Sequence, residues 1–513
     1  IKVLLHVKEN NKEHRTDDVS VKRLMVRRGQ SFKITLHTNR QFQPDTDTLL
    51  FTAETGPKPS EEKGTRCVFG YPKSTGAKKA WTALVQESGR SSMTLAISSP
   101  ADASVGSYNL YMREGSHASP QSITNMVLLF NPWCTEDWVH LPEEAKRQEY
   151  VMAEQGIIYR GSADRIGPPG LELWTFEEDM VDICMKLLDM NPKCLRDPAE
   201  DFSARCNPIY VGRVVSAMYI NANDDRGILA GRCSSVDILR RWYKSHYSSH
   251  CVSVCVSVLR CLGIPCRVVS NFQSAHDTDK NLTIDEYYTD HGFSLRRAMT
   301  VCGEGMMKRP DLSGDSTYDG WQVLDPTPQE QSSGVFCCGP CPVKAVLEGH
   351  SDLKYDVPFV FAEVNADQVT WMLMRDGSKH RLRTVTSNVG QNISTKAVGA
   401  YRREDITASY KYPEGEGNIT YTGLHTPSPS HTHWLTKTSP SHTHWLTHTS
   451  PSHHTLAYTD LTITHTGLHK PHHHTHWLTQ TSLEAVGYFH MNKEWIYQIT
   501  MLLYVYYCYM YIC

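Results

Sequence analysis

The chain has 513 residues, 40% of them hydrophobic and 21% charged, which is the composition of globular protein long enough for about three domains. Lys and Arg (52) nearly balance Asp and Glu (55), so no basic surplus points to nucleic acid, and the surfaces are expected to be mixed and solvated. The 16 cysteines follow neither a secreted disulfide pattern nor paired zinc knuckles; with no leader-like start at Ile1, the expected compartment is a reducing cytoplasm, where the sequons at Asn281, Asn392 and Asn418 stay unused.

From Ile1 to about Phe130 the sequence runs in short alternating stretches: Phe32, Ile34, Leu36, then Met93, Leu95, Ile97, then Tyr108, Leu110, Met112. That period with frequent turn residues predicts an antiparallel β-sandwich over 1–130, closed by the boundary Asn131-Pro132-Trp133-Cys134. A second domain, 131–417, changes period. Thr175 and Glu178 have capping-box spacing, and Phe176, Met180, Ile183, Cys184 and Leu187 recur at helical intervals. Pro208 to Ala222 and Ser234 to Trp242 also read as helices, whereas Arg267 to Phe272 and Gly320 to Leu324 read as strands, giving an α+β core of helices on a sheet. Val252, Val254 and Val256 alternate as in a strand, so helix and strand both stay open there. Cys338-Gly-Pro-Cys341 has C-x-x-C spacing but reads as structural.

Beyond about Gly417 the composition shifts to His, Thr, Ser, Pro and Trp, and HTHWLTKTSPS at His431 returns as HTHWLTHTSPS at His442. This segment, 418–513, is expected to be disordered, with zinc or nickel binding or a translated non-coding repeat as alternatives. The end, Glu494 to Cys513, is apolar and aromatic, but Gln498, Thr500 and several tyrosines make it a poor bilayer segment, so no membrane partner is expected.

Six stretches carry a more specific signal: Thr16 onward (TDDVSVKRLMVRRGQSF), Val258 to Asn271 (VLRCLGIPCRVVSN), Ser274 to Tyr288 (SAHDTDKNLTIDEYY), Trp321 to Glu330 (WQVLDPTPQE), Phe359 to Asp367 (FVFAEVNAD) and Arg403 to Gly415 (REDITASYKYPEG). Together they closely resemble the transglutaminase family, whose members join a glutamine side chain of one protein to a lysine amine of another. The resemblance covers about the first four fifths of the chain and implies an immunoglobulin-like β-sandwich followed by a papain-like core. The family's two C-terminal β-barrels have no counterpart in the sequence after Gly417.

Acyl transfer from glutamine needs a thiolate to attack the carboxamide, a histidine to hold and return the proton, and a carboxylate to orient that histidine. The resemblance assigns the carboxylate to Asp325, at the end of a β-like run before Pro326; the plain alternative is an Asp capping a turn. Counting back from Arg309-Pro310-Asp311-Leu312, Thr300 occupies the histidine's place, and threonine has no group that titrates near neutral pH. His291 reads as a loop residue. Ungapped counting puts Ser248 where the family has its cysteine; Cys251 is the candidate nucleophile on a gapped alignment, with Cys255 second and Cys261 and Cys266 structural. A tryptophan-bearing insertion that shields the oxyanion is absent between Cys233 and Ser235.

The resemblance also implies Ca2+, held by Asn365, Asp367 and Glu414, with a fourth acidic ligand falling near Ile419. The expected function is therefore calcium-dependent protein-glutamine γ-glutamyl transfer, with glutamine- and lysine-bearing proteins as partners. The alternative is an inactive transglutaminase-like scaffold. Because altered segments interrupt intact framework abruptly, misplaced exon edges explain them better than drift does.

Overall fold

The structure is a computed structural model that describes residues 2–413 apart from 44–46, 72–79, 116–117, 168–169, 174–177, 219–247, 278–280, 289–297, 327–330 and 375. The helix expected at Ser234 to Trp242, the capping residue Thr175, Phe176, His291 and everything after 413 lie outside the described residues.

Nine strands form the first layer pair: β1 Lys2–Leu4, β2 Met25–Arg27, β3 Ser31–His37, β4 Leu49–Thr55, β5 Arg66–Tyr71, β6 Thr82–Ser88, β7 Ser92–Ser98, β8 Gly106–Glu114 and β9 Gln121–Leu129. They make two sheets, ordered β1-β3-β7-β6 and β2-β9-β8-β4-β5, with β2 parallel to β9 and the other pairs antiparallel. The alternation read from the sequence is the inward face. Phe32, Ile34, Leu36, Met93, Leu95, Ile97, Tyr108, Leu110 and Met112 are each at most 2% exposed and share one cluster. Phe51 stacks on Phe69 and Phe69 on Trp81, with ring centroids 5.5 and 5.8 Å apart, thickening that core.

The α+β region is built on a six-stranded antiparallel sheet whose order is Cys338–Pro342, Gly320–Asp325, Ala298–Met307, Cys266–Ser274, Gln391–Lys396, Arg403–Asp405. One face carries the helices Glu178–Asp189, Pro208–Met218 and Ser248–Leu262. Val181, Leu188, Val215, Val256 and Leu259 pack there against Val301 and Leu324 of the sheet. The other face carries Val343–Glu348 and Val357–Asn365, with Val360 and Phe361 against Val269, Cys302 and Val323. The Cys266–Ser274 strand is covered on both faces, with eight of its nine residues buried, Ser270 and Asn271 among them.

The valine alternation after Cys251 is helical, not extended: Ser248–Leu262 is one 15-residue helix. Every residue from Cys255 to Leu262 is buried, so no wet face marks the helical period, and the period-two appearance came from serines and cysteines falling between valines.

A further, three-stranded sheet pairs Thr283–Tyr288 in parallel with Asp367–Leu373, which then pairs antiparallel with Lys379–Val385. That last strand is an exposed edge among the described residues, and the register shift opposite Thr370 and Trp371, together with Lys379, Arg381 and Arg383, protects it from edge-to-edge pairing.

Arg28 ties the sandwich to the sheet region. Fully buried, it donates from Nε and Nη2 to Asp137 at 2.7 Å each and from Nη1 to the carbonyls of Ala103 (2.7 Å) and Cys206 (2.8 Å). Its guanidinium also lies 4.4 Å from the Phe130 ring centroid.

Candidate active site

The turn Gly263-Ile264-Pro265 joins the Ser248–Leu262 helix to the Cys266–Ser274 strand. Gly263 has φ +96, and a Cβ there would stand 2.4 Å from the Phe130 carbonyl and 2.8 Å from Arg27, so only glycine makes this return. A 15-residue helix is about 22 Å long. Folded back on its strand, it brings its first turn, with Cys251, level with the far end of that strand. There Asn271 pairs with Thr300, and on the next strand Leu324 pairs with Gly303, one residue before Asp325. The backbone thus gathers the Cys251, Thr300 and Asp325 positions at one end of the sheet. The side chains of Cys251 and Thr300 lie outside what the structure describes.

Asp325 is 2% exposed at the end of its strand. The ladder slips just there, from Val323 opposite Cys341 to Asp325 opposite Cys338. Across from it stands Glu363, whose carboxyl is held well above the usual carboxylate range by burial and then by the Asp325 charge. Cys302 and Cys338 are pushed up as thiols, first by burial and further by neighbouring carboxylates including Asp325. Thiols on this wall therefore stay protonated and are poor nucleophiles. Cys255 is fully buried in the helix-side core, which closes it to a protein substrate. Cys261 and Cys266 sit in the same core.

The residues assigned to calcium fall on one bend. Asn365 ends the Val357–Asn365 helix and Asp367 begins the next strand, both half-buried, with the Asp367 N–H donated to the Leu282 carbonyl at 3.0 Å. Leu282 in turn donates its N–H to the Asp277 carboxylate at 2.7 Å, which braces the bend. An amide oxygen and a carboxylate are the donors a hard cation takes, so this pair fits calcium in kind. Glu414 lies outside the described residues, and among those described no three His, Cys, Asp or Glu side chains gather as a metal group.

Two neighbours of Asp325 escape a reading of the sequence. Ser216 reaches the Asp325 carbonyl from 109 positions away, and Glu363 looks like one more polar residue on a short helix. The available signal was a buried serine within the apolar run VVSAM.

The family model for the transglutaminase N-terminal domain, described as "Transglutaminase family", matches residues 1–115. Protein-glutamine gamma-glutamyltransferase 2 of Gallus gallus is 46% identical over 80% of this chain and 63% of its own length. The Homo sapiens protein of that name is 44% identical over 80% of this chain and 64% of its own, and Homo sapiens protein-glutamine gamma-glutamyltransferase 5 is 44% identical over 80% and 61%. The chain thus spans less than two thirds of the length of these curated relatives. The crystal structure of red sea bream transglutaminase superimposes with a TM-score of 0.70 at 40% identity, over 81% of this chain and 66% of that one. These likenesses run through the same sandwich and sheet that hold Asp325, and by them the chain belongs to the transglutaminase family.

Proposed function

We propose that the protein is a calcium-dependent protein-glutamine γ-glutamyltransferase acting on glutamine- and lysine-bearing proteins of the cytoplasm. The observation that carries this reading is the convergence of the helix start, the Thr300 strand and buried Asp325 at one sheet end. In the reaction the Cys251 sulfur attacks the γ-carboxamide carbon, the C–N bond breaks, and ammonia leaves with the thiol's proton. A lysine amine then attacks the thioester; the C–S bond breaks, the isopeptide forms and the amine's proton passes back to the sulfur. Cys251 lies in the described helix's first turn, where the helix dipole favours a thiolate. On this reading Asp325 would orient a base at position 300. Asn365 and Asp367, with Glu414, would hold calcium, which when bound would supply fixed positive charge at the end of the helix that carries Glu363.

Thr300 limits the proton transfers, and it favours a second reading, a transglutaminase-like scaffold that binds proteins without joining them. Transcripts that read Ser248 and Thr300 as they stand would favour the scaffold; transcripts with the altered segments replaced would favour the enzyme. The direct test is a glutamine-mimetic electrophilic peptide mapped by mass spectrometry. Adduct at Cys251 with millimolar calcium and none with chelator is expected. A folded chain that takes no adduct at Cys251 in calcium sinks the proposed nucleophile.

A further inference from the structure

We infer that Ser216, supported by Arg213 one turn earlier, is a positioning residue for the Asp325 carboxylate. The inference rests on the reading above in which Asp325 orients the base. Ser216 is fully buried on the Pro208–Met218 helix, with Oγ 3.0 Å from the Asp325 carbonyl and 3.0 Å from the Cys338 carbonyl, and it accepts the Cys338 N–H at 3.3 Å. Those two residues face each other across the slipped register, where the regular ladder is interrupted. The hydroxyl has one proton, so it serves the two carbonyls in alternation or together as a three-centre bond, and it ties the two backbones together where the register shifts.

Arg213 holds the other side of the same joint. It donates to the Gly339 carbonyl at 2.9 Å and to Ser332 Oγ at 2.9 Å, lies 3.3 Å from Asp356, and covers the Tyr355 ring at 4.2 Å. Asp356 accepts the Gly339 N–H at 2.8 Å and the Ser332 hydroxyl. Gly339 has φ +86, and a Cβ on it would come within 2.0 Å of the Val323 carbonyl, so this strand has no slack of its own. One helix therefore fixes both residues of the joint from which the Asp325 side chain departs. Glu363, Cys302 and Cys338 face that side chain from the other elements. A displacement of about 1 Å in such a group is enough to cost roughly a hundredfold in rate.

The test uses the full chain labelled with 13C-aspartate, and subtracting the spectrum of Asp325→Asn isolates the Asp325 carboxylate stretch in the infrared. Ser216→Ala is expected to shift or split that band and Ser216→Thr to restore it, with near-ultraviolet dichroism confirming folding. Arg213→Lys, a milder change, is expected to move the same band by less and serves if Ser216→Ala does not fold. In a chain carrying Thr300→His, Ser216→Ala should lower kcat for amine incorporation at least tenfold with KM changed less than twofold. An unmoved Asp325 band in a folded Ser216→Ala chain, or in folded Arg213→Lys should Ser216→Ala not fold, overturns the proposal. A shifted band in a chain that never incorporates amine keeps the positioning role and removes the acyl-transfer reading instead.

Discussion

His14, the residue that ends the Val7–Glu13 helix, is buried, with Nδ1 accepting the Arg27 backbone N–H at 2.9 Å and Nε2 donating to the Ser31 carbonyl at 3.1 Å. That pattern needs the neutral ring. Burial lowers its pKa from 6.5 to about 4, Arg27 and Arg15 add to the effect, and the Ser31 carbonyl offsets part of it. The unfolded chain binds the proton below 6.5 and the folded chain resists it, so this contribution is complete above 6.5 and is lost as pH falls toward about 4. It amounts to about 3 kcal/mol at most. Denaturant unfolding of parent and His14→Gln between pH 7.5 and 4.5 should show a shallower pH slope in the variant; parallel slopes would refute the assignment. Asp137 is a second residue with large leverage, because Asp137→Ala leaves the Arg28 guanidinium buried without its carboxylate. A loss of roughly 3–5 kcal/mol in urea unfolding is expected. At this scale the strand that ends on Asp325 was legible from its β-like run, the residue's role was assigned by resemblance alone, and Ser216 was not legible: its partners lie 109 and 122 residues away and no local pattern marks them.

Among elements, a sandwich strand such as Gly106–Glu114 was readable because it has one wet face, which preserves the alternation. The Ser248–Leu262 helix was not, because its later turns are apolar around most of their circumference and serve as the centre of the helix-side core. Leu259, 1% exposed there, should cost about 2–5 kcal/mol as Leu259→Ala, while Leu382→Ala on the exposed edge strand should stay within about 0.5 kcal/mol. Equal losses at the two positions in thermal or urea unfolding would contradict the placement of the helix. The bend at Asn365 and Asp367 was read from resemblance alone; its helix-to-strand geometry, braced by Asp277 and Leu282, has no signature in periodicity.

For the whole molecule, fold and family follow from framework that runs through most of the sandwich and sheet, while the chemistry depends on short altered segments that interrupt it. The physical reason is separability. Packing of Val258, Leu259, Val301 and Leu324 fixes where helix and strands lie whatever the side chains at 251 and 300 are. An imidazole at position 300, on a scaffold that already places a helix start and Asp325 at that sheet end, should therefore restore proton transfer, a contribution of typically 10²–10⁴-fold. The measurement that tests this most directly is incorporation of a labelled primary amine into a glutamine-bearing protein, comparing the chain as it stands with Thr300→His, in millimolar calcium, in chelator and after iodoacetamide. The account predicts trace incorporation by the parent and a rise of about a hundredfold or more in Thr300→His, lost in chelator and after alkylation. Folded Thr300→His that remains at the parent's level, or a parent already fully active, would contradict it.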